Sequence, residues 1–262
     1  MRIAIAGGTG TVGRHVVTAT REAGHEPIVL SRSNGVDLMS TDGLAGALSD
    51  IDAVIDVSST NSLSAKQAVR FFGTVTENLL NAERAAGVTH HVTLSIIGAA
   101  HANSGYYAGK AIQEERVMRS GGAWSMLRTT QFHEFAAQTA HRRSIAGIQI
   151  VPAMRSQPIA AAEVATTLVN IATGVPRGLE PDLAGPRQEN MPDMVRRYLK
   201  AAHIRRIVLR VPLPGAMGKS MRDGGLLPSP STRIGTQTFD QWLASNDWTR
   251  GGTDGHISSR GS

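Results

Sequence analysis

Along the first 130 residues the apolar positions keep switching between two periods. Short unbroken apolar runs read as buried strands, and stretches with apolar residues three and four apart read as amphipathic helices. Ile3 to Ala6 is the first run, and Val12, Val16, Val17, Ala19 and Ala23 follow at helical spacing up to Gly24. Residues 27–31 predict strand two, and residues 41–48 a short helix with Thr41 as its N-cap. Residues 53–57 predict strand three. A long helix follows over 65–86, with Val69, Phe72, Val75, Leu79, Leu80 and Ala82 on its apolar stripe and Gly87 placed to stop it. Residues 91–95 predict another strand, 106–120 a helix ended by Gly121 and Gly122, and 124–127 one more strand. Strand and helix in strict alternation imply a parallel sheet with right-handed crossovers and a ligand at the carboxyl ends of its strands.

Past residue 150 this rhythm weakens. Helices are expected over 161–172 and 191–202, and a strand with an arginine-bearing exposed face within 204–211. The Pro- and Gly-rich stretch 212–235 reads as surface loop, and 239–243 as a final helical turn. The expected division is a core over 1–150, a small lobe over 151–248 packed on it and partly completing it, and a Gly- and Ser-rich disordered tail over 249–262. The fold class is therefore α/β: a Rossmann-type doubly wound parallel sheet carrying a small C-terminal substrate lobe.

A glycine cluster between the first strand and first helix gives this pattern its chemistry. Gly7, Gly8, Thr9, Gly10, Thr11, Val12 and Gly13 sit where a dinucleotide fingerprint needs a strand before it and a helix after it. Gly7 and Gly10 let the backbone turn tightly and approach a pyrophosphate, and Gly13 lets helix and strand pack closely. The helix start offers backbone N–H groups and a partial positive charge to the phosphates. An NAD site places a carboxylate at the end of strand two for the ribose 2′-hydroxyl; this chain has Arg32 there. A guanidinium holds a 2′-phosphate with charge-assisted bonds, so NADP(H) is expected over NAD(H). Asp37 and Leu38 are expected to flank the adenine. Val57, Ser58 and Ser59, at the end of strand three, are expected to meet the cofactor's ribose.

Tyr106 and Lys110 are one helical turn apart and share a face. An ammonium beside a phenol favours the phenolate, and a phenol so tuned exchanges a proton with a carbonyl or alcohol oxygen while hydride moves to or from nicotinamide. Lys110 is also expected to bond the nicotinamide ribose. Ser95, at the end of the preceding strand, is placed to hydrogen-bond the same substrate oxygen. Plainer roles stand beside these: a strand-end serine bonding backbone, and a helix-start aromatic with Tyr107 competing for any polar role.

The 262 residues contain no cysteine, which excludes disulfides, thiolate nucleophiles and cysteine metal sites. The formal charge of +6 is spread out, with one concentration at Arg196, Arg197, Lys200, Arg205, Arg206 and Arg210. No aromatic-rich basic face accompanies it, so it reads as a solvated helix and its exit rather than a nucleic-acid surface. No apolar run approaches the ~20 residues of a membrane span. Strand one begins at the N-terminus and leaves no room for a signal peptide, so a cytoplasmic protein is expected. The nine histidines, His90, His91, His101, His133 and His141 among them, form no metal-ligand spacing. His133 and Glu134 are candidates to line a cleft, with surface or capping roles favoured.

Six stretches together carry a resemblance. They are Gly-Gly-Thr-Gly-Thr-Val-Gly at 7–13, Leu-Ser-Arg at 30–32, Asp-Ala-Val-Ile-Asp-Val at 52–57, Leu-Ser-Ile-Ile-Gly at 94–98, Tyr-Tyr-Ala-Gly-Lys at 106–110 and Met-Leu-Arg-Thr-Thr-Gln-Phe at 126–132. In order and spacing the chain resembles an atypical short-chain dehydrogenase/reductase of the NmrA-like, NAD(P)-binding group, over about its first 135 residues. The resemblance implies a Rossmann core, an NADPH cleft, Lys110 as the group's helix lysine, and the loop through Thr129 and Thr130 near nicotinamide. It departs from the pattern at Thr129, where a proline is common, and in the eleven-residue step from Ser95 to Tyr106. The expected function is NADPH-dependent reduction of a small carbonyl, enone or quinone. The alternatives are an NADP(H)-sensing regulator and an NAD(P)-using epimerase or dehydratase. A small-molecule substrate is expected, with no nucleic-acid or membrane partner, and with monomer and homodimer both open.

Overall fold

The first strand, β1 (Arg2–Ala6), is buried from its second residue on and lies at the middle of the sheet. A computed structural model describes residues 1–62, 64–99, 105–142, 144–245 and 247–249 of the chain. Among them, β2 (Glu26–Leu30) pairs in parallel with one side of β1, and β3 (Ala53–Asp56) with the other. β4 (His90–Ile96) and β5 (Trp124–Thr129) extend the β3 side, giving the order β2-β1-β3-β4-β5. The chain leaves β1 to one side, returns, and continues on the other. That reversal opens a crevice at the carboxyl ends of β1 and β3, the place where open α/β sheets bind ligands.

The first four helices follow the predicted pattern, the second in shortened form. α1 (Thr11–Glu22) buries Val12, Gly13 and Val16. The helix expected over 41–48 shrinks to α2 (Leu44–Ala47), entered through Gly43 in the left-handed region, and the Thr41 side chain does not cap it. α3 (Ala65–Ala86) is capped by Ser64, whose hydroxyl accepts from the Gln67 N–H, and ends at Gly87. α4 (Gly105–Met118) packs along α3 so closely that a Cβ on Gly109 would lie 2.5 Å from the Phe72 ring.

Two compact units emerge, and neither is continuous. The first comprises 1–130, 161–184 and 228–233; the second comprises 131–160, 185–227 and 234–262. The division at residue 150 expected from the sequence is replaced because α6 (Ala161–Ala172) returns to the first unit and packs on α1. The short strands β8 (Gly178–Leu179) and β9 (Leu183–Ala184) then pair with β5 and widen the sheet.

The second unit contains α5 (Glu134–His141), β6 (Ile148–Pro152), the two-residue strands β7 (Arg155–Ser156) and β10 (Glu189–Asn190), and α7 (Met191–Ala201). β11 (Ile207–Val211) pairs in parallel with β6. The exposed arginine expected on β11 is there at Arg210, yet Ile207 and Leu209 are exposed on the opposite face of the strand. The loop expected over 212–235 is corrected by α8 (Gly215–Asp223), held by a Lys219–Asp223 ion pair at one-turn spacing. Gly218 is the reason a helix fits there: a Cβ would lie 2.0 Å from the Leu213 carbonyl oxygen. β12 (Arg233–Ile234) then adds to the main sheet beside β9, and α9 (Phe239–Ala244) starts with a Thr238/Gln241 capping box. The tail expected beyond residue 249 lies outside the described residues, as do His101 and the rest of 100–104.

Candidate cofactor and active site

Because the strands are parallel, the candidate residues come to one edge of the sheet, and all belong to the first unit. At its centre is Gly7, with a φ of +81°. A Cβ there would meet Ser58 Cα at 2.9 Å and the Val57 carbonyl oxygen at 3.0 Å, so the ends of β1 and β3 touch through glycine. Gly13 packs tighter still, with a Cβ position 2.1 Å from the Gly7 carbonyl oxygen. Gly8 and Val12 are buried, whereas Thr9 and Gly10 are exposed and Thr11 is half-buried. Gly10 enters α1 in an extended conformation, no side chain caps that end, and the first turn carries no acidic residue. An exposed, uncapped helix start beneath a glycine turn fits a pyrophosphate, sterically and in sign.

Arg32 lies just past the end of β2 in a single 3-10 turn, exposed; its carbonyl accepts from the Gly35 N–H, and its guanidinium makes no hydrogen bond or ion pair to any described residue. A guanidinium left without a carboxylate partner there suits a phosphate. Asp37 is also exposed, and its Oδ1 accepts from the Met39 N–H. Leu38 packs on the cluster of Leu30, Leu44 and Val75, and its carbonyl accepts from Asn78. Val57 and Ser58 are buried, Ser58 Oγ with no partner among the described residues, while Ser59 is exposed. Thr129 and Thr130 are both buried at the end of β5, where the Thr130 N–H donates to the Leu183 carbonyl.

The three candidate catalytic residues do not form one cluster. The Tyr106 hydroxyl lies 3.3 Å from Ser59 Oγ, and its ring meets Phe72 edge-on at 5.3 Å. Lys110 is buried, and Nζ donates to the Leu94 carbonyl and to Gln113 Oε1, both at 2.8 Å. Nζ sits 4.4 Å from the Phe72 ring centroid and 5.9 Å from that of Tyr106, and it makes no hydrogen bond to the phenol. Ser95 departs most from expectation. Its hydroxyl donates to Glu114 Oε1 at 2.6 Å in a buried setting, so it is engaged away from Tyr106. Glu114 is also paired with Arg128, which donates through Nε and Nη2 at 2.9 and 2.6 Å. That hydrogen-bonded pairing holds the guanidinium above its ordinary pKa. Burial pushes the nearby Asp182 carboxyl up, Arg128 pulls it down, and Glu114 adds to the rise.

Several polar residues here escaped sequence reasoning: Asp56, Gln113 and Glu114, all essentially buried. The available signal was α4 itself, whose inward positions Lys110, Gln113 and Glu114 are polar where an amphipathic helix would place aliphatics. The cleft role considered for His133 is replaced by a core one. His133 is buried, bonds the Gln237 carbonyl at 2.9 Å and packs against Phe239 and Trp242. Among the described residues, no cluster of three or more His, Asp or Glu could hold a metal ion.

The profile of a family described as NAD(P)H-binding matches residues 7–174, more than half of the chain and all of this sheet edge. The chain belongs to that NAD(P)H-binding family. A relative in Synechocystis, the photosystem II assembly factor Ycf39, is 36% identical over 117 residues, which cover 38% of this chain and 35% of that protein. The chain thus spans about a third of that relative. Solved structures share the fold over nearly the whole length. An NADPH-dependent quinone oxidoreductase from Escherichia coli, complexed with NADPH, has a TM-score of 0.68 at 18% identity, covering 93% of this chain and 99% of its own. UDP-N-acetylglucosamine 4-epimerase from Bacillus cereus has a TM-score of 0.69 at 17% identity, covering 98% and 99%. The family member has the doubly wound α/β fold expected, of the kind used by NAD(P)-dependent oxidoreductases and epimerases. No helix among its described residues is long and apolar enough to cross a membrane.

Proposed function

We propose that this protein is an NADPH-dependent oxidoreductase that reduces a small carbonyl, enone or quinone. The observation that carries the reading is the pairing of two features on one sheet edge. Arg32, its guanidinium without a partner among the described residues, stands at the end of β2, and a hydroxyl-bearing Tyr106 stands beside the end of β3. The first suits a 2′-phosphate and the second a substrate oxygen.

When bound, NADPH supplies hydride from its nicotinamide. The residues of this chain do the rest. The Gly7–Gly13 turn and the start of α1 receive the pyrophosphate through backbone N–H groups, and Arg32 receives the 2′-phosphate. Lys110, Ser58 and Thr130 hold the nicotinamide end. The Tyr106 hydroxyl, hydrogen-bonded to Ser59, gives its proton to the substrate oxygen as that oxygen gains negative charge, and solvent returns a proton to the phenolate. Ser59 thereby takes the place beside the phenol that the sequence suggested for Ser95.

Titration with NADPH and NADH, followed by NADPH consumption with a panel of quinones and enones, tests the reading. Tight NADPH binding with turnover on at least one acceptor supports it; failure to bind NADPH ends it. A second reading, a non-catalytic NADP(H) sensor, is favoured by the Ser95–Glu114 bond, which leaves the serine–tyrosine–lysine set unassembled. Tight NADPH binding without turnover on any acceptor selects it.

A further inference from the structure

Behind Lys110 runs a buried chain of hydrogen bonds that the proposed chemistry does not use. Gln113 Oε1 accepts from Lys110 Nζ at 2.8 Å, and Gln113 Nε2 donates to Asp56 Oδ2 at 2.8 Å. The other carboxylate oxygen, Asp56 Oδ1, accepts from the Ser58 N–H at 2.9 Å. Asp56 and Gln113 are fully buried, and Lys110 and Ser58 are 3% exposed.

The chain has a direction. An ionised carboxylate offers only acceptors, an ammonium only donors, and a primary amide one end of each kind. Asp56 therefore draws the NH2 end of Gln113 toward itself and turns the amide oxygen toward Lys110. A flipped amide would set NH2 against NH3+ on one side and oxygen against carboxylate on the other. As a device for stability alone this is a poor choice. A direct Lys–Asp contact would neutralise two buried charges better than an interposed neutral amide. What the amide does is keep the ammonium away from the carboxylate, with two of its three N–H groups committed, to Leu94 and Gln113.

We infer that Asp56 and Gln113 are positioning residues: through a fixed amide orientation they aim the remaining N–H of Lys110 at the nicotinamide ribose of the cofactor. The inference rests on the NADPH-binding reading above. Because Asp56 also holds the Ser58 backbone, one carboxylate ties the β3 end and the α4 lysine into a single rigid receptor. The consequence is a preorganised cofactor site, in which the lysine side chain is ordered before the ligand arrives.

A swap of the pair tests this. Asp56→Asn lets the Gln113 amide turn over and should weaken NADPH binding by about tenfold, the scale of one hydrogen bond to a charged group. Gln113→Glu sets two carboxylates face to face and should weaken it similarly. The double variant Asp56→Asn/Gln113→Glu reverses the bond between positions 56 and 113. It restores an acceptor facing Lys110, keeps an acceptor for the Ser58 N–H, and leaves the net charge unchanged. NADPH affinity should return to within about threefold of the parent. In a Lys110→Met background, Asp56→Asn should change NADPH affinity no further, because the positioning acts through the lysine. Thermal melting of each variant, read beside the titrations, separates affinity from folding. If either single variant fails to fold, the double variant alone decides, since both of its hydrogen bonds can form. A folded double variant with tenfold weaker binding overturns the inference. So does an Asp56→Asn effect that is as large without Lys110 as with it. If the parent protein binds no NADPH, it is the functional reading that fails.

Discussion

Ser95 gives its hydroxyl hydrogen to Glu114 at 2.6 Å, and Tyr106 stands instead beside Ser59. The serine hydrogen-bonded to the phenol among the described residues thus comes from just past the end of β3 rather than from β4. Ser95→Ala should cost about 1.5–3 kcal/mol of stability, the range for a bond to a charged group. It should leave kcat within a few-fold of the parent. Ser59→Ala should do the reverse, with kcat falling at least tenfold and the urea midpoint hardly moving. Paired unfolding and turnover measurements decide between the two serines.

Tyr106→Phe removes the exchangeable proton while keeping the ring that packs on Phe72. NADPH affinity should be nearly unchanged and kcat should fall by roughly 10²–10⁴, the usual contribution of a positioned general acid. Full activity in this variant would mean that the proton comes directly from solvent, as a quinone acceptor allows.

The Arg32 side chain makes no bond to any described residue, so its replacement disturbs the fold little. Arg32→Ala should narrow the preference for NADPH over NADH by about 1.5–3 kcal/mol. Titration of both cofactors against both proteins measures it, and equal affinities in the parent would refute the 2′-phosphate role.

The glycines of the turn should divide into two kinds. A Cβ at Gly10 would meet only the Gly7 carbonyl oxygen, at 3.2 Å, and the backbone there is extended. Gly10→Val should therefore leave a folded protein that has lost most of its NADPH affinity. Gly13→Ala places a methyl 2.1 Å from that same oxygen and should lower the melting temperature sharply, with or without cofactor. Melting curves and NADPH titration of both variants distinguish the two cases.

Near the start of β4, His91 Nδ1 is bonded to both oxygens of Glu83, at 2.8 and 3.0 Å, inside the protein. Burial pulls the His91 pKa down, but the charge and hydrogen bond of Glu83, with a smaller contribution from the Asp56 charge, outweigh it and leave it above 6.5. A group whose folded value is raised stabilises fully below its unfolded value and loses that contribution as pH climbs through the folded one. Glu83→Gln should therefore destabilise most below pH 6.5, with the deficit shrinking as the pH rises past the folded value. Urea midpoints on either side of that range check it; a deficit that grows with pH would be the contrary result.

How much of this could be read in advance depended on whether a residue's role was local. The Gly7–Gly13 turn, β1, α1, α3 and its Gly87 stop follow from period and glycine placement, which are properties of neighbours in sequence. Arg32 was legible because a strand end is a defined place. Asp56, Gln113 and Glu114 were not, because their meaning comes from partners 57 and 14 residues away, brought in by helix packing. Ser95 was misplaced for the same reason: the position was right, but Glu114 on the neighbouring helix redirects its hydroxyl. α8 was hidden by its own glycines, which weaken helix propensity yet are what Leu213 requires at Gly218.

The interleaved order of the two units bears on how the chain is made. Residues up to Thr130 leave the ribosome with five strands ready to pair, yet α6, which covers α1, lies beyond a 30-residue detour into the second unit. β9, which pairs with the end of β5, arrives after about 50 residues have followed Thr130. At roughly 5–20 residues per second, the open β5 edge and the bare flank of α1 wait for roughly 3–10 seconds. For that interval the nascent protein presents an unpaired parallel edge beside exposed aliphatic surface, the combination that invites chaperones or misassembly.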